Sequence, residues 1–131
     1  MGRLNSTMIV KDRVPDIQSA LKELAQTDSD IILFSGGTGV SPDDVTPDAL
    51  TPLYDKLLPG FDEGMRMSSL QKTPFALVSR GVSGIYRQKL VISLPGSPKG
   101  AVENVDFLRP LLSHTVKKIK GDRTPCQKED R

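Results

Sequence analysis

The sequence is short of cysteine, aromatic residues and long apolar runs, and each shortage narrows what the protein can be. Its 131 residues include one cysteine, no tryptophan and 5% aromatic residues. A lone thiol, Cys126, cannot close an intramolecular disulfide, so the cytoplasm is the expected compartment. The scarcity of aromatic rings argues against a surface on which nucleic-acid bases stack. No apolar run approaches the roughly 20 residues that a membrane-spanning helix needs.

The chain also lacks a strong excess of either charge. Its 18 basic and 16 acidic residues leave a net charge of +2, whereas a general nucleic-acid binder is usually far more basic. The length suits one domain with one modest core, which we assign to residues 1–121. Residues 122–131 are charged and poor in apolar side chains, so they are expected to form a disordered tail.

Apolar patterning predicts strands and helices in alternation. Strands are predicted at residues 7–10, 30–34, 75–78 and 90–94, and the continuous apolar run at 30–34 is typical of a strand buried on both faces. Helical spacing predicts helices at residues 15–25, 46–57, 61–70 and 101–119, with Thr46 as an N-cap, Pro59-Gly60 as a stop and a kink at Pro110. This alternation predicts an α/β fold, a three-layer sandwich around a mainly parallel sheet.

The most informative stretch follows the predicted strand at 30–34 and reads SGGTGVSPDDVTPDA. Glycines let a backbone turn sharply and bring its N–H groups close to an anion. Asp43 and Asp44 follow, and carboxylate oxygens are ligands for Mg²⁺. The pattern favours a phosphate site at the start of a helix, although glycine turns also occur simply to let a helix pack closely.

A second glycine-bearing stretch, LPGSPKG, follows the predicted strand at 90–94. Pro95-Gly96 turns the chain, Ser97 offers a hydroxyl and an N–H, and Lys99 offers a positive charge at the opening of the last helix. The alternative is an ordinary loop with a solvated lysine. If the strands ending near Phe34, Val78 and Leu94 are parallel, their three polar loops gather at one edge of the sheet.

Common motifs are absent from these loops. No Gly-Lys-Ser/Thr follows the glycines, GxGxxG does not occur, and no GxSxG presents a nucleophile. A P-loop, a dinucleotide fingerprint and a hydrolase elbow are therefore not predicted.

Taken together, SGGTGVSPDDVTPDAL and LPGSPKG resemble the molybdenum-cofactor biosynthesis family. This is the family of the molybdopterin adenylyltransferases, and it includes the N-terminal domain of gephyrin and the G-domain of the plant enzyme. The resemblance covers residues from about 7 to 122. Further matching segments are Pro59-Gly60-Phe61, Met65-Arg66, Ser68-Ser69-Leu70, Thr73-Pro74 and Leu77-Val78-Ser79-Arg80. The segment at 73–80 is more similar to the adenylyltransferase branch than to the related domain of molybdate-inserting enzymes.

The resemblance implies a reaction in which Mg²⁺-ATP and molybdopterin give adenylylated molybdopterin and pyrophosphate. It implies catalytic roles for Asp44 and Asp12, with Asp44 also holding Mg²⁺. Nucleotide- and phosphate-binding roles are implied for Gly36, Gly37, Thr38, Gly39, Pro95, Gly96, Ser97 and Lys99, and pterin-binding roles for Ser79 and Arg80. A homotrimer is also implied, as is transfer of the product to a molybdate-inserting enzyme. Asp43 stands where relatives often have arginine, a change that removes a positive charge beside the phosphates.

Members of this family begin with an additional strand, a Ser-Asp-containing loop and a helix. The resemblance of this sequence starts only at about the second strand of the family. The expected fold is therefore N-terminally shortened, with reduced stability or poor solubility when the chain is made as written. Two alternatives to the adenylyltransferase stay open at this point. One is a catalytically weak pterin- or nucleotide-binding scaffold, and the other is a truncated paralogue.

Overall fold

The computed structural model describes residues 2–123, so Cys126 and most of the predicted tail lie outside the described residues. In chain order the elements are α1 (Val14–Leu24), β1 (Ile31–Ser35), α2 (Thr46–Leu50), a 3-10 helix (Thr51–Leu53), β2 (Lys56–Leu57), α3 (Pro59–Leu70), a second 3-10 helix (Pro74–Val78), β3 (Gly84–Tyr86), β4 (Lys89–Leu94) and α4 (Pro98–Ile119). The predicted helices at 15–25, 61–70 and 101–119 and the strands at 30–34 and 90–94 are confirmed, with small shifts at their ends.

The sheet separates two apolar clusters, each enclosed by a pair of helices. One cluster joins the sheet to α1 and α2 and contains Ile17, Leu21, Ile32, Ala49, Leu50, Tyr86 and Val91. The other joins it to α3 and α4 and contains Met65, Leu90, Ile92, Leu94, Leu108 and Leu112. Because successive side chains of a strand point to opposite faces, β4 contributes to both clusters. The predicted three-layer sandwich is confirmed.

The sheet is mixed rather than mainly parallel. Its order is β1-β4-β3-β2, and among the described residues only β1 and β4 pair in parallel, with Ser35 opposite Leu94. The pairs β3–β4 and β2–β3 are antiparallel. β3 and β4 are joined by Arg87 and Gln88, whose φ angles of 48° and 64° form a tight hairpin turn that allows only antiparallel pairing.

Two predicted strands are wrong. Residues 75–78 lie in the 3-10 helix Pro74–Val78, where the Thr73 hydroxyl accepts the Phe75 N–H at 3.3 Å and caps the turn. Residues 7–10 form no strand because no other strand among the described residues runs beside them. Ile9 is fully exposed there, whereas Val10 still packs against the cluster of α1 and α2.

The helix predicted at 46–57 is shorter, and its stop is misplaced. Val45 takes the N-cap position instead of Thr46, and α2 passes into a 3-10 turn that ends at Leu53. Pro52, which has no N–H to donate, favours this early end. Lys56 and Leu57 pair with β3, so Leu57 belongs to a strand. Pro59-Gly60 begins α3, because proline is well tolerated in the first turn of a helix.

β1 lies at the edge of the sheet and is buried less than predicted. Ile32 is buried, but Leu33 remains 48% exposed, so the prediction of burial on both faces is wrong for this strand. The pattern fits β4 instead, which is buried from Leu90 to Leu94. Within residues 2–123, no helix combines the length and apolar character that crossing a membrane requires.

Candidate functional site

The two parallel strands end side by side, and their loops meet at a pair of glycines. The Gly36 N–H donates to the Leu94 carbonyl at 3.0 Å, and the Ser35 hydroxyl donates to the Pro95 carbonyl at 2.9 Å. A Cβ atom added to Gly96 would lie 3.4 Å from the Cα of Gly36. The predicted convergence of the loops after β1 and β4 is therefore confirmed.

Residues 36–46, called the glycine loop from here on, fold back onto the start of α2. Gly37 has a φ of 68°, and a Cβ atom at this position would lie 2.3 Å from the Thr46 hydroxyl oxygen. The Thr46 N–H donates to the Gly37 carbonyl at 3.1 Å, and Thr38 is buried. The close approach of Thr46 explains why glycine occupies position 37.

Asp44 lies in the glycine loop, and one of its two carboxylate oxygens accepts hydrogen bonds from Ser41. Its Oδ2 accepts the Ser41 N–H at 3.0 Å and the Ser41 hydroxyl at 2.8 Å. Among the described residues nothing donates a hydrogen bond to Oδ1. The side chain is half-buried, whereas Asp43 is exposed. Asp44 therefore presents one oxygen that a ligand or a metal ion can use.

The third predicted loop reaches the site without being the end of a strand. The Arg80 N–H donates to the Thr38 carbonyl at 2.7 Å. The Arg80 guanidinium donates to the carbonyls of Gly39 at 2.8 Å and Asp44 at 2.6 Å, and to the carboxylate of Asp48 at 3.0 Å. The hydrogen bond from Arg80 to the Asp48 carboxylate, together with the positive charge of Arg80, holds the pKa of Asp48 below its ordinary value. Arg80 thus cross-links the glycine loop to α2, a role that the sequence did not predict.

Ser79, the other residue expected at the pterin, is half-buried beside Arg80. Its hydroxyl accepts the Gly81 N–H at 3.3 Å, an interaction that shapes the local turn. Its carbonyl accepts a hydrogen bond from Arg66 on α3 at 3.4 Å. The structure therefore brings Ser79 and Arg80 to the same edge of the sheet as the glycine loop.

The loop after β4 leads directly into α4. The Ser97 hydroxyl accepts the Gly100 N–H at 3.1 Å, so it is the N-cap of α4 and is committed to the helix. Lys99 is exposed in the first turn, which contains no acidic residue. The N-terminus of this 22-residue helix carries a partial positive charge next to Gly36.

Asp12 is the predicted site residue that these contacts do not include. It is exposed, immediately before α1, and makes no hydrogen bond or ion pair with any residue between 2 and 123. The segment before α1 is held instead by Val10, which packs on the core, and by Asn5, which donates to the Ser29 hydroxyl at 3.0 Å. Asp12 thus has a free carboxylate, but nothing joins it to Asp44.

Sequence reasoning missed a buried polar cluster behind the site. Asp62 on α3 is 3% exposed and accepts the Ser83 N–H at 2.8 Å and the Ser83 hydroxyl at 2.9 Å. Ser93 on β4 accepts the Val82 N–H at 2.7 Å. A serine inside the apolar run at 90–94 and an acid on the buried face of α3 were the available signals.

A metal ion at this site would need ligands from a bound phosphate compound in addition to Asp44. No group of three or more His, Cys, Asp or Glu side chains in residues 2–123 could hold a metal by itself. Mg²⁺ commonly binds through one or two carboxylates together with substrate phosphates and water. The free Oδ1 of Asp44 fits that kind of site, and it does not fit a cage built only from protein ligands.

Comparisons with known proteins agree with this geometry. The molybdopterin adenylyltransferase of Haemophilus influenzae is 41% identical over 116 residues, which cover 88% of this chain and 58% of that protein. Gephyrin of Dictyostelium discoideum is 38% identical over 108 residues, covering 82% of this chain and 15% of that protein. A crystal structure of the molybdopterin biosynthesis enzyme MoaB from Thermus thermophilus is 43% identical, with a TM-score of 0.77 over 85% of this chain and 70% of that one.

The chain thus spans less than two thirds of the length of these curated relatives. Residues 2–114 match the family described as "Probable molybdopterin binding domain", which covers most of the sequence. The chain therefore belongs to the molybdopterin-binding domain family.

Proposed function

We propose that this chain adenylylates molybdopterin in molybdenum-cofactor biosynthesis, with ATP as the adenylyl donor. The observation that carries the proposal is the meeting of the glycine loop with the N-terminus of α4 at Gly36 and Gly96. Backbone N–H groups and a helix N-terminus side by side form a cradle for phosphates. Relatives named molybdopterin adenylyltransferase, 38–41% identical to this chain, support the choice of substrates.

In the proposed reaction, a terminal phosphate oxygen of molybdopterin attacks the α-phosphorus of ATP. A new P–O bond forms as the bond from the α-phosphorus to the bridging oxygen breaks, and pyrophosphate leaves. Several anionic phosphates must meet, so positioning and charge neutralisation supply most of the catalysis. Gly36, Gly37, Thr38 and Gly39 line one side of the cradle, and Pro95, Gly96, Ser97 and Lys99 line the other.

The acidic residues are assigned by their accessibility. We assign Asp44 to the reacting phosphates, since its Oδ1 is uncommitted. Mg²⁺ bound there would neutralise phosphate charge. Asp12 is assigned as a second acid that meets the substrate from the segment before α1. Ser79 is assigned to the pterin, and Arg80 to holding the loop that the pterin phosphate meets.

Formation of adenylyl-molybdopterin from ATP, Mg²⁺ and molybdopterin tests the proposal. Asp44→Asn keeps the size of the side chain but removes its charge, and we expect it to lower kcat/KM by roughly 10²–10³-fold. Asp43→Asn is the matched control, because Asp43 is the neighbouring acid and is exposed. Equal activity of wild type and Asp44→Asn would contradict the assignment of Asp44.

A second candidate is a module that binds pterin or nucleotide without turnover. The isolation of Asp12 favours it, because one of the two expected catalytic acids has no contact with the site. Binding of ATP or molybdopterin by calorimetry, with no adenylylated product, would select this candidate. Product formation that also depends on Asp12 would exclude it.

We also propose that the chain forms a homotrimer and acts in the cytoplasm, delivering its product to a molybdate-inserting enzyme. The support for self-association is an exposed apolar patch on α3 and the following 3-10 helix, formed by Met67, Leu70, Phe75, Leu77 and Val78. Phe75 is 78% exposed, so Phe75→Ser is expected to leave the fold intact and to shift the protein toward monomer. Sedimentation equilibrium measures this, and an unchanged mass would show that the patch is not the subunit contact.

A further inference from the structure

The segment at residues 79–83, called the arginine segment here, has no regular secondary structure but is firmly held. It connects the 3-10 helix to β3 and contains Ser79 and Arg80. On the sheet, the Ser93 hydroxyl of β4 accepts the Val82 N–H at 2.7 Å. From the turn before β2, the Tyr54 hydroxyl donates to the Val82 carbonyl at 2.9 Å. The arginine segment forms more hydrogen bonds with α3, and these involve two charged side chains.

Asp62 and Arg66 lie one helical turn apart on α3 and bind the two ends of the arginine segment. The Asp62 carboxylate accepts hydrogen bonds from both the N–H and the hydroxyl of Ser83. The Arg66 Nη1 donates to the carbonyls of Ser79 at 3.4 Å and Gly81 at 3.3 Å. The two side chains therefore hold the backbone on both sides of Arg80.

Burying Asp62 has a cost that its contacts only partly offset. Loss of solvent raises the pKa of Asp62, against the hydrogen bonds from Ser83 and the nearby charge of Arg66. A buried carboxylate is a weak source of stability compared with apolar packing, but its hydrogen bonds specify one backbone arrangement. The arrangement specified here is that of the arginine segment.

The same segment is hydrogen-bonded to the glycine loop. Arg80 donates hydrogen bonds to the carbonyls of Thr38, Gly39 and Asp44, which span most of that loop. A continuous set of contacts thus runs from α3 through the arginine segment to the glycine loop.

We propose that Asp62 and Arg66 are positioning residues of this site, acting through Arg80 to hold the glycine loop in its phosphate-binding conformation. The kinetic consequence rests on the proposed adenylyl transfer, whereas the structural consequence does not. Loss of either side chain loosens the glycine loop although neither touches it. Ground-state binding of ATP weakens as a result, so KM rises.

Hydrogen exchange measured by mass spectrometry tests the structural half. Arg66→Gln and Asp62→Asn are compared with matched surface changes, Arg109→Gln and Glu63→Gln. We expect amides in residues 36–46 to exchange at least about tenfold faster in the first pair and at the wild-type rate in the second. Faster exchange confined to residues 79–83 would overturn the proposal.

Steady-state kinetics test the functional half. A merely structural role lowers the folded fraction, so kcat falls while KM for ATP is unchanged. The proposal predicts a KM increase of about tenfold or more in Arg66→Gln, with partial recovery in Arg66→Lys, which keeps a cationic donor. An unchanged KM would overturn it. If Asp62→Asn fails to fold, the two Arg66 variants still decide.

The two halves fail separately. A wild-type protein without adenylyl transfer would refute the proposed function, and hydrogen exchange would still decide whether Asp62 and Arg66 position the loop. A protein that turns over normally with Arg66→Gln would refute the positioning role and leave the proposed function standing.

Discussion

The carboxyl end of β1 and its outer edge belong to one short strand, yet the structure holds them very differently. At the carboxyl end, the glycine loop is bonded to β4, to α2 and to Arg80. Along the outer edge, the backbone groups of Ile31, Leu33 and Ser35 point away from β4, and no hydrogen bond within residues 2–123 uses them. The segment with Asp12 is also loosely held, mainly by the packing of Val10 and a hydrogen bond from Asn5.

This contrast separates two kinds of rigidity. The proposed phosphate cradle is held rigidly, because several independent hydrogen bonds fix the backbone of the glycine loop. The outer edge of β1 and the segment before α1 have fewer hydrogen bonds among the described residues and are expected to open at lower free-energy cost. The two predicted catalytic acids fall on opposite sides of this division, Asp44 in the cradle and Asp12 outside it.

The largest expected effect comes from crowding the cradle. Gly37→Ala forces a strained φ and places a methyl group against Thr46, so we expect the free energy of unfolding to fall by about 1–3 kcal/mol. Gly60→Ala is the control, since nothing lies within 4 Å of its added Cβ, and it should be neutral or stabilising by up to about 1 kcal/mol. Urea denaturation followed by circular dichroism compares them. Equal stability of the two variants would show that the cradle is not rigid.

A smaller effect is expected from the charge behind the cradle. Because burial raises the pKa of Asp62 in the folded state, the folded protein binds this proton more tightly than the unfolded chain does. Its contribution to stability is therefore present at low pH and is lost as the pH rises through the folded-state pKa. The free energy of unfolding of Asp62→Asn, relative to that of wild type, should therefore be higher at about pH 7 than at about pH 4. Denaturant titrations at both pH values measure this, and a difference that does not depend on pH would contradict it.

The smallest effect is expected at the open edge. Leu33→Thr keeps a strand-forming residue but removes apolar surface that is already 48% exposed, so stability should change by less than about 1 kcal/mol. Self-association at high concentration should decrease, because an exposed apolar edge promotes strand pairing between molecules. Ile92→Thr, its buried partner in the ladder, should cost about 2 kcal/mol or more. Light scattering and urea denaturation distinguish the two changes.

The sequence predicted the parts of the fold that local chemistry decides. The last helix was predicted from residue 101 and begins at Pro98, with Ser97 as its N-cap, and the apolar run at 90–94 corresponds to a buried strand. The run at 75–78 looked equally strand-like, but Thr73 and Pro74 favour a capped 3-10 turn, and the structure leaves Phe75 and Leu77 in solvent. The mixed sheet follows from the turn at Arg87 and Gln88, whose left-handed conformations are uncommon for these residue types.

The meeting of the loops after β1 and β4 could be predicted from the sequence, whereas the contacts that support these loops could not. Glycines and prolines at strand ends are local signals, so the meeting of the two loops could be inferred. The contacts of Asp62 with Ser83 and of Arg66 with Gly81 join residues far apart in the chain, and no spacing rule encodes them. The tie between Arg80 and the glycine loop is equally long-range, which is why Arg80 was predicted as a ligand residue and not as a brace.

The contact between Gly36 and Gly96 has a consequence for anyone who would move this site to another scaffold. A Cβ atom on either glycine would already be in van der Waals contact with the Cα of the other, so the two loops are packed together and are best transplanted as a matched set. Grafting the first loop onto a foreign strand and helix would transfer only one of the two loops that meet at these glycines. Recombination between homologues should likewise tolerate crossovers within β2, α3 or β3 best when both parents keep glycine at position 36, where φ is 100°.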